Sequence, residues 1–311
     1  MRLRRLLAGA VGTVAAAELL DRGLRAKASD LPPALPGAQG TYRWRGFDVA
    51  YTEAGDPGHP DVVCLHGVHA AASSREFADV FEDLAEDYHV IAPDLPGFGR
   101  SDRPPVAYTS SLYESFVTNF LADVADEPVV VGSSLSGAWA TVAAERTDVA
   151  GLLLVCPTAD TGPRRPWLRA LMRTPVVGNA LFNAVTSKPS LRFFNERDAF
   201  YYPDRVTADV LNYQWRTAHQ EGARFAPASF VGGFLDSGID LGAELADRDC
   251  PVTLVWGREA TITTLSVGRD IAEDADARLV VINETRLVPH AEQPEVFVDA
   301  VREDLPLLEH Q

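Results

Sequence analysis

A serine set among small residues at the end of an apolar run is the first group in this chain with a chemical use. The stretch VVVGSSLSGAWA (129–140) contains Gly132-Ser133-Ser134-Leu135-Ser136-Gly137. It fits the G-x-S-x-G pattern if Ser136 stands for the second glycine, with Gly137 beside it. That pattern needs small neighbours because its serine sits at a sharp, strained strand-to-helix corner. Ser134 would hold its hydroxyl above a sheet at the start of a helix, where it could attack an acyl carbonyl once a base took its proton. The competing reading is an ordinary strand–helix turn with a capping serine. Cys64, Cys156 and Cys250 have no metal-site spacing, form no CxxC, and read as buried thiols of a reducing compartment.

The surrounding periodicities supply such a corner. Residues 41–55 read as a β-hairpin, and 61–67, 89–97, 128–134, 149–157, 251–257 and 278–283 as short apolar strands. Segments 73–88, 111–126, 135–146, 265–275 and the stretch from Pro294 have helical spacing. Val/Ile/Leu strands alternating with amphipathic helices predict an α/β fold, a mostly parallel sheet covered on both faces. Residues 158–245 interrupt the alternation with Pro, Arg and aromatics. They are too long for a structureless loop, so they predict a helical insertion with its own small core.

Three further stretches strengthen the reading of Ser134. CLHGVHA (64–70) resembles the HG loop of α/β-hydrolases, and DLPGFGRSDRP (94–104) resembles the segment after the next strand in their esterase, epoxide-hydrolase and peroxidase-like group. PHAEQPEVF (289–297) resembles that family's closing P-H-x-E-x-P-E-x-F. With the serine corner, four matches fall in family order over roughly residues 41–305. The resemblance implies an eight-stranded, mostly parallel sheet with a lid at 158–245. It implies Ser134 as nucleophile and the backbone N–H groups of Val68 and Leu135 as oxyanion hole. It also implies hydrolysis of an ester or similar small acyl substrate through an acyl-enzyme, with no metal or organic cofactor.

Two positions depart from the family. Its acid follows the seventh strand as W-G-x-x-D, where this chain has Ala260 in WGREAT. Its histidine stands where this chain has Leu287. The nearest substitutes are His290 as base and Glu259 as orienting acid, with Asp160 a second candidate acid. Their structural alternatives are a helix cap, a surface glutamate and a turn residue. His66 reads as orienting the HG loop, His69 as a remote candidate base, and His219 as structural. The departures keep a second function open: a non-hydrolytic member of the fold that binds a small apolar ligand or a protein partner.

Composition narrows the partners. Of 311 residues, 28 are Lys or Arg and 44 Asp or Glu, a net charge of −16. Such a field repels phosphate backbones, which argues against nucleic-acid binding. Only Lys27 and Lys188 are lysines, so the surface reads as acidic and halophile-like. Residues 1–28 open with Arg2, Arg4 and Arg5, continue uncharged from Leu6 to Ala17, and then keep a helical pattern. Twelve uncharged residues are too few to span a bilayer. They suit a helix lying at a membrane surface, a helix packed on the domain, or a cleaved signal segment. The expected layout is a cytoplasmic protein with this helix, a linker at 29–40, a core over 41–157 and 246–311, and the lid between.

Overall fold

The apolar runs become one eight-stranded sheet in a computed structural model that describes residues 18–305. The strands are β1 (Ala38–Trp44), β2 (Phe47–Ala54), β3 (Asp61–Leu65), β4 (His89–Pro93), β5 (Val129–Ser133), β6 (Gly151–Val155), β7 (Val252–Gly257) and β8 (Arg278–Ile282). Their order is β1-β2-β4-β3-β5-β6-β7-β8; the β1–β2 and β2–β4 pairs are antiparallel and the rest parallel. The expected α/β class and strand count therefore hold. Arg45 and Gly46, both at positive φ (45° and 91°), close the β1–β2 hairpin; a two-residue turn with both residues left-handed matches strand twist.

Side-chain alternation explains why the sheet must be covered twice. Val63, Leu65, Ile91, Val130, Leu152 and Leu154 share one core with helices α3 (Ser110–Val124) and α4 (Leu135–Ala143). Val62, Cys64, Val90, Ala92, Val131 and Leu153 point the other way. They pack on α2 (Phe81–Ala85) and α13 (Pro294–Val301) through Phe81, Leu84, Phe297 and Val298. Helix α11 (Leu265–Asp274) joins β7 to β8, and the short α12 (Pro289–Glu292) leads from β8 into α13. All nine residues of α4 are buried. Trp139 stacks on Tyr113 at 4.3 Å and donates its indole N–H to the Leu235 carbonyl.

Three local expectations need correction. Residues 73–88 are not one helix: a 3₁₀ turn at Ser74–Phe77 precedes α2, and Phe77, Val80, Phe81 and Leu84 all turn into the core. The stretch 29–40 is not a free linker, since Ala34 and Leu35 are buried and β1 begins at Ala38. Cys64 and Cys156 are buried, but Cys250 is only partly so.

Between β6 and β7 lie α5 (Pro166–Arg173), α6 (Pro175–Val185), α7 (Lys188–Phe194), α8 (Ala208–Ala218), α9 (Phe225–Val231) and α10 (Leu241–Ala246). Met172, Phe182, Leu191, Phe200 and Leu211 form a core there together with Ala71 and Ala291, so the insertion shares apolar contacts with the loop after β3 and the turn before α13. The expected helix at 1–28 lies outside the described residues up to 17. Residues 18–28 form helix α1, which packs on the insertion: Asp21 is buried and accepts from the side-chain amides of Asn179 (3.2 Å) and Asn183 (3.1 Å). Among the described residues, no helix is long and apolar enough to cross a membrane.

Candidate active site

Ser134 stands between β5 and α4 with φ 54° and ψ −125°, a conformation that a residue with a side chain adopts only under strain. The corner is tight enough to exclude larger neighbours. A Cβ on Gly132 would meet Gly137 at 2.9 Å, and one on Gly137 would meet Pro157 at 2.9 Å. Ser136, in place of the second glycine, uses its hydroxyl to bond the His66 carbonyl at 2.6 Å. It thus ties the corner to the HG loop. Because the strain lies in the backbone, Ser134→Gly should be more stable than Ser134→Ala by about 1 kcal/mol in urea titration. Equal midpoints would show that the corner carries no strain.

The HG loop is fixed from two sides. The ring of His66 lies between the Gly67 carbonyl, 2.8 Å from Nδ1, and the Leu95 amide, which donates to Nε2 at 3.0 Å. These contacts assign the proton to Nδ1 and leave the ring orienting the loop, as the sequence reading has it. Gly67 N–H donates to Glu76 Oε2 at 2.9 Å. Val68 follows, buried, and Leu135 supplies the first amide of α4, one of those a helix leaves without an internal acceptor.

Glu76 is the residue that sequence reasoning missed. In Ser73-Ser74-Arg75-Glu76 it occupies the third position after a serine, where S-x-x-E reads as a surface capping box. Ser73 caps nothing with its side chain, and Glu76 turns inward. Its Oε2 and the Ser133 hydroxyl each lie 3.2 Å, and Ser134 Cβ 3.5 Å, from the point a Cβ on Gly67 would occupy. The carboxylate is therefore set beside the serine corner. Only the need for a buried partner to His290 could have signalled it.

His290 is fully buried, stacked on Phe77 at 5.0 Å and tilted against Phe297 at 5.7 Å. Its Nε2 lies 3.5 Å from Glu76 Oε1, too long to count as a good hydrogen bond, and neither ring nitrogen has a hydrogen-bond partner. Burial alone would raise the Glu76 carboxyl. The nearby His290 and the Ser133 hydroxyl outweigh that and hold it well below the ordinary carboxylate range. A group more acidic folded than unfolded adds stability above its unfolded pKa and loses it as pH falls toward the folded one. Between about pH 5 and about pH 2.5 the protein should therefore lose on the order of 2 kcal/mol more than Glu76→Gln does, measured as urea midpoints. Parallel pH profiles would remove this account of the pair.

The other candidate acids lie elsewhere. Glu259 does not orient His290: its Oε2 accepts from Thr285 N–H at 3.1 Å, which fastens the loop after β7 to the loop after β8. Asp160 is exposed and accepts from Gly162 N–H two residues on, as a turn aspartate does. His69 is exposed, with Nδ1 accepting from Ala71 N–H. His219, just after α8, contacts the Trp215 carbonyl at 2.7 Å and stacks on that indole. Ala260, at the family's acid position, is buried in an apolar cluster with Cys156, Trp256 and Leu265. Leu287, at the histidine position, packs against the same cluster. The two departures are thus complementary: an apolar pair fills the place of a polar one.

The segment carrying Leu287 is clamped to the insertion. Arg286 donates from Nη1 to the carbonyls of Glu196, Arg197 and Phe200 at 2.6, 2.8 and 2.9 Å. The buried Glu292 accepts from the amides of Arg286, Tyr201 and Tyr202.

Fold, serine corner and loop order converge with comparison to known proteins. The sequence model of the alpha/beta hydrolase family matches residues 62–300. This chain belongs to the alpha/beta hydrolase family. An uncharacterized hydrolase of Bacillus subtilis, YugF, is 27% identical over 277 residues, covering 82% of this chain and 93% of that protein. An uncharacterized hydrolase of Saccharomyces cerevisiae, YNR064C, is 46% identical over 59 residues, so that match spans 20% of that protein and 19% of this alpha/beta hydrolase. In structure, a serine hydrolase involved in carbazole degradation superposes with a TM-score of 0.71 at 19% identity, over 86% of this chain and 98% of that one.

Proposed function

We propose that this alpha/beta hydrolase family member is a serine-nucleophile hydrolase of an ester or similar small acyl substrate, turning over far more slowly than a complete triad would. The observation that carries the reading is the strained backbone of Ser134, since a binding protein has no use for a serine held at φ 54°. The hydroxyl attacks the carbonyl, the acyl group moves to Ser134 Oγ, and water then releases the acid. The developing oxyanion meets the amides of Val68 and Leu135. His290 takes the hydroxyl proton, with Glu76 rather than Glu259 as its carboxylate. No step in this scheme calls on a metal or organic cofactor. Residues 158–245 act as the lid, and the small acyl substrate is the partner the site takes.

A fluorophosphonate probe tests this by intact mass. Labelling of the full chain should reach one probe per molecule over hours and vanish in Ser134→Ala. His290→Ala should slow it at least tenfold. A chain that stays unlabelled at low and high salt would favour the second reading, a non-hydrolytic member binding an apolar ligand or protein partner. That reading draws support from the apolar packing of Ala260 and Leu287.

A further inference from the structure

Exposed apolar side chains are concentrated on four helices that contact one another in series. Of fourteen large hydrophobic residues exposed among the described residues, eight lie on α1, α5, α6 and α7. On α6, Val177, Leu181 and Val185 repeat every four residues and form an exposed stripe. Trp167 on α5 is 66% exposed and Phe193 on α7 54%, the latter touching only the neighbouring, also exposed Phe194 and the Arg197 guanidinium among the aromatic and cation–π contacts of the described residues.

Charge sets the same part of the chain apart. Residues 161–195 hold six cations and no acid, in a chain of net charge −16. Of the six, only Arg192 is paired with a carboxylate among the described residues, with Glu196. Residues 1–27 add six cations against two acids. Asp21 fastens α1, with its Arg22, Arg25 and Lys27, to Asn179 and Asn183 of α6. Leu19 and Leu20 of α1 are 67% and 64% exposed.

We propose that α5–α7, together with α1, form a docking face for an anionic lipid bilayer. The cations meet lipid headgroups, while Trp167, Phe193 and the α6 stripe enter the boundary between headgroups and acyl chains. The sign of the charge selects the occupant: a chain of net charge −16 is repelled by an anionic membrane as a whole, and this cation-rich, acid-free stretch is where that repulsion is relieved. This inference does not depend on the reaction proposed for Ser134.

Vesicle flotation of the full chain tests it. In about 0.1 M NaCl, binding to phosphatidylglycerol/phosphatidylcholine vesicles in equal parts should exceed binding to pure phosphatidylcholine at least tenfold, and about 1 M NaCl should remove most of that excess. Arg164→Glu/Arg165→Glu, and separately Trp167→Ser/Phe193→Ser, should each weaken binding at least fivefold with unchanged melting. Equal partition to both vesicle types, or no flotation, would overturn the proposal. So would full binding by both variants. A dimer that buries Trp167 and does not float would assign the face to a second copy of the chain instead.

Discussion

The double variant Ala260→Asp/Leu287→His should hydrolyse p-nitrophenyl acetate about 10³ times faster than the natural sequence. Losing a serine triad's base costs on the order of 10⁶ in kcat, and the part recoverable depends on how well a restored relay meets an existing corner. Here the corner is intact: Ser134 is strained, Gly132 and Gly137 allow the crossing, and the HG loop is tied to Ser136. The replaced positions already belong to one packed cluster. Either change alone should fail for a physical reason. Ala260→Asp alone would bury a carboxylate without a partner, destabilising by about 3 kcal/mol, and Leu287→His alone would place an imidazole without its orienting acid. The rates should therefore be strongly non-additive, with the gain confined to the double variant. A double variant no faster than the parent would mean that the bottleneck is not the missing relay.

Glu292→Ala should be the most destabilising single substitution in the loop that carries Leu287. The carboxylate is buried and satisfies three amides, those of Arg286, Tyr201 and Tyr202. Each amide left without a partner costs about 1–3 kcal/mol, so a total loss of about 4 kcal/mol and a fall in Tm on the order of 10 °C are expected. Glu292→Gln keeps one acceptor oxygen and should lose about half as much. Burial raises the Glu292 carboxyl, against the amides and Arg286 that favour its charged form. The glutamine variant, which carries no charge to desolvate, isolates the value of the hydrogen bonds. A loss under about 1 kcal/mol for Glu292→Ala would show that water reaches these amides.

The sheet was legible because buried parallel strands leave continuous Val/Ile/Leu runs, and Ser134 because a tight crossing demands small residues on both sides. Leu287 and Ala260 were visible as gaps in a pattern, and their apolar packing turned out to be mutual. What the sequence hid depends on direction. Glu76 looks like a capping residue until the segment is seen to open with a 3₁₀ turn that Ser73 does not cap, and only then does its carboxylate point to Gly67 and His290. Glu259 is close to its expected place, but a nearby amide, that of Thr285, captures it first. Local hydrogen bonds of this sort compete with long-range pairing, and spacing along a chain does not reveal the winner.

The burial of α4 on every side bears on how the chain comes to be folded during synthesis. Its nine residues have no face that tolerates water, and Trp139 donates to a carbonyl of Leu235, 96 residues later. The strand that closes the adjoining sheet edge, β7, begins at Val252. A ribosome adding about 5–20 residues per second therefore exposes an apolar helix and an unpaired β6 edge for several seconds before the covering segments emerge. Holding chaperones act on nascent chains in that interval, and a truncated product ending before β7 would keep its sticky edge permanently.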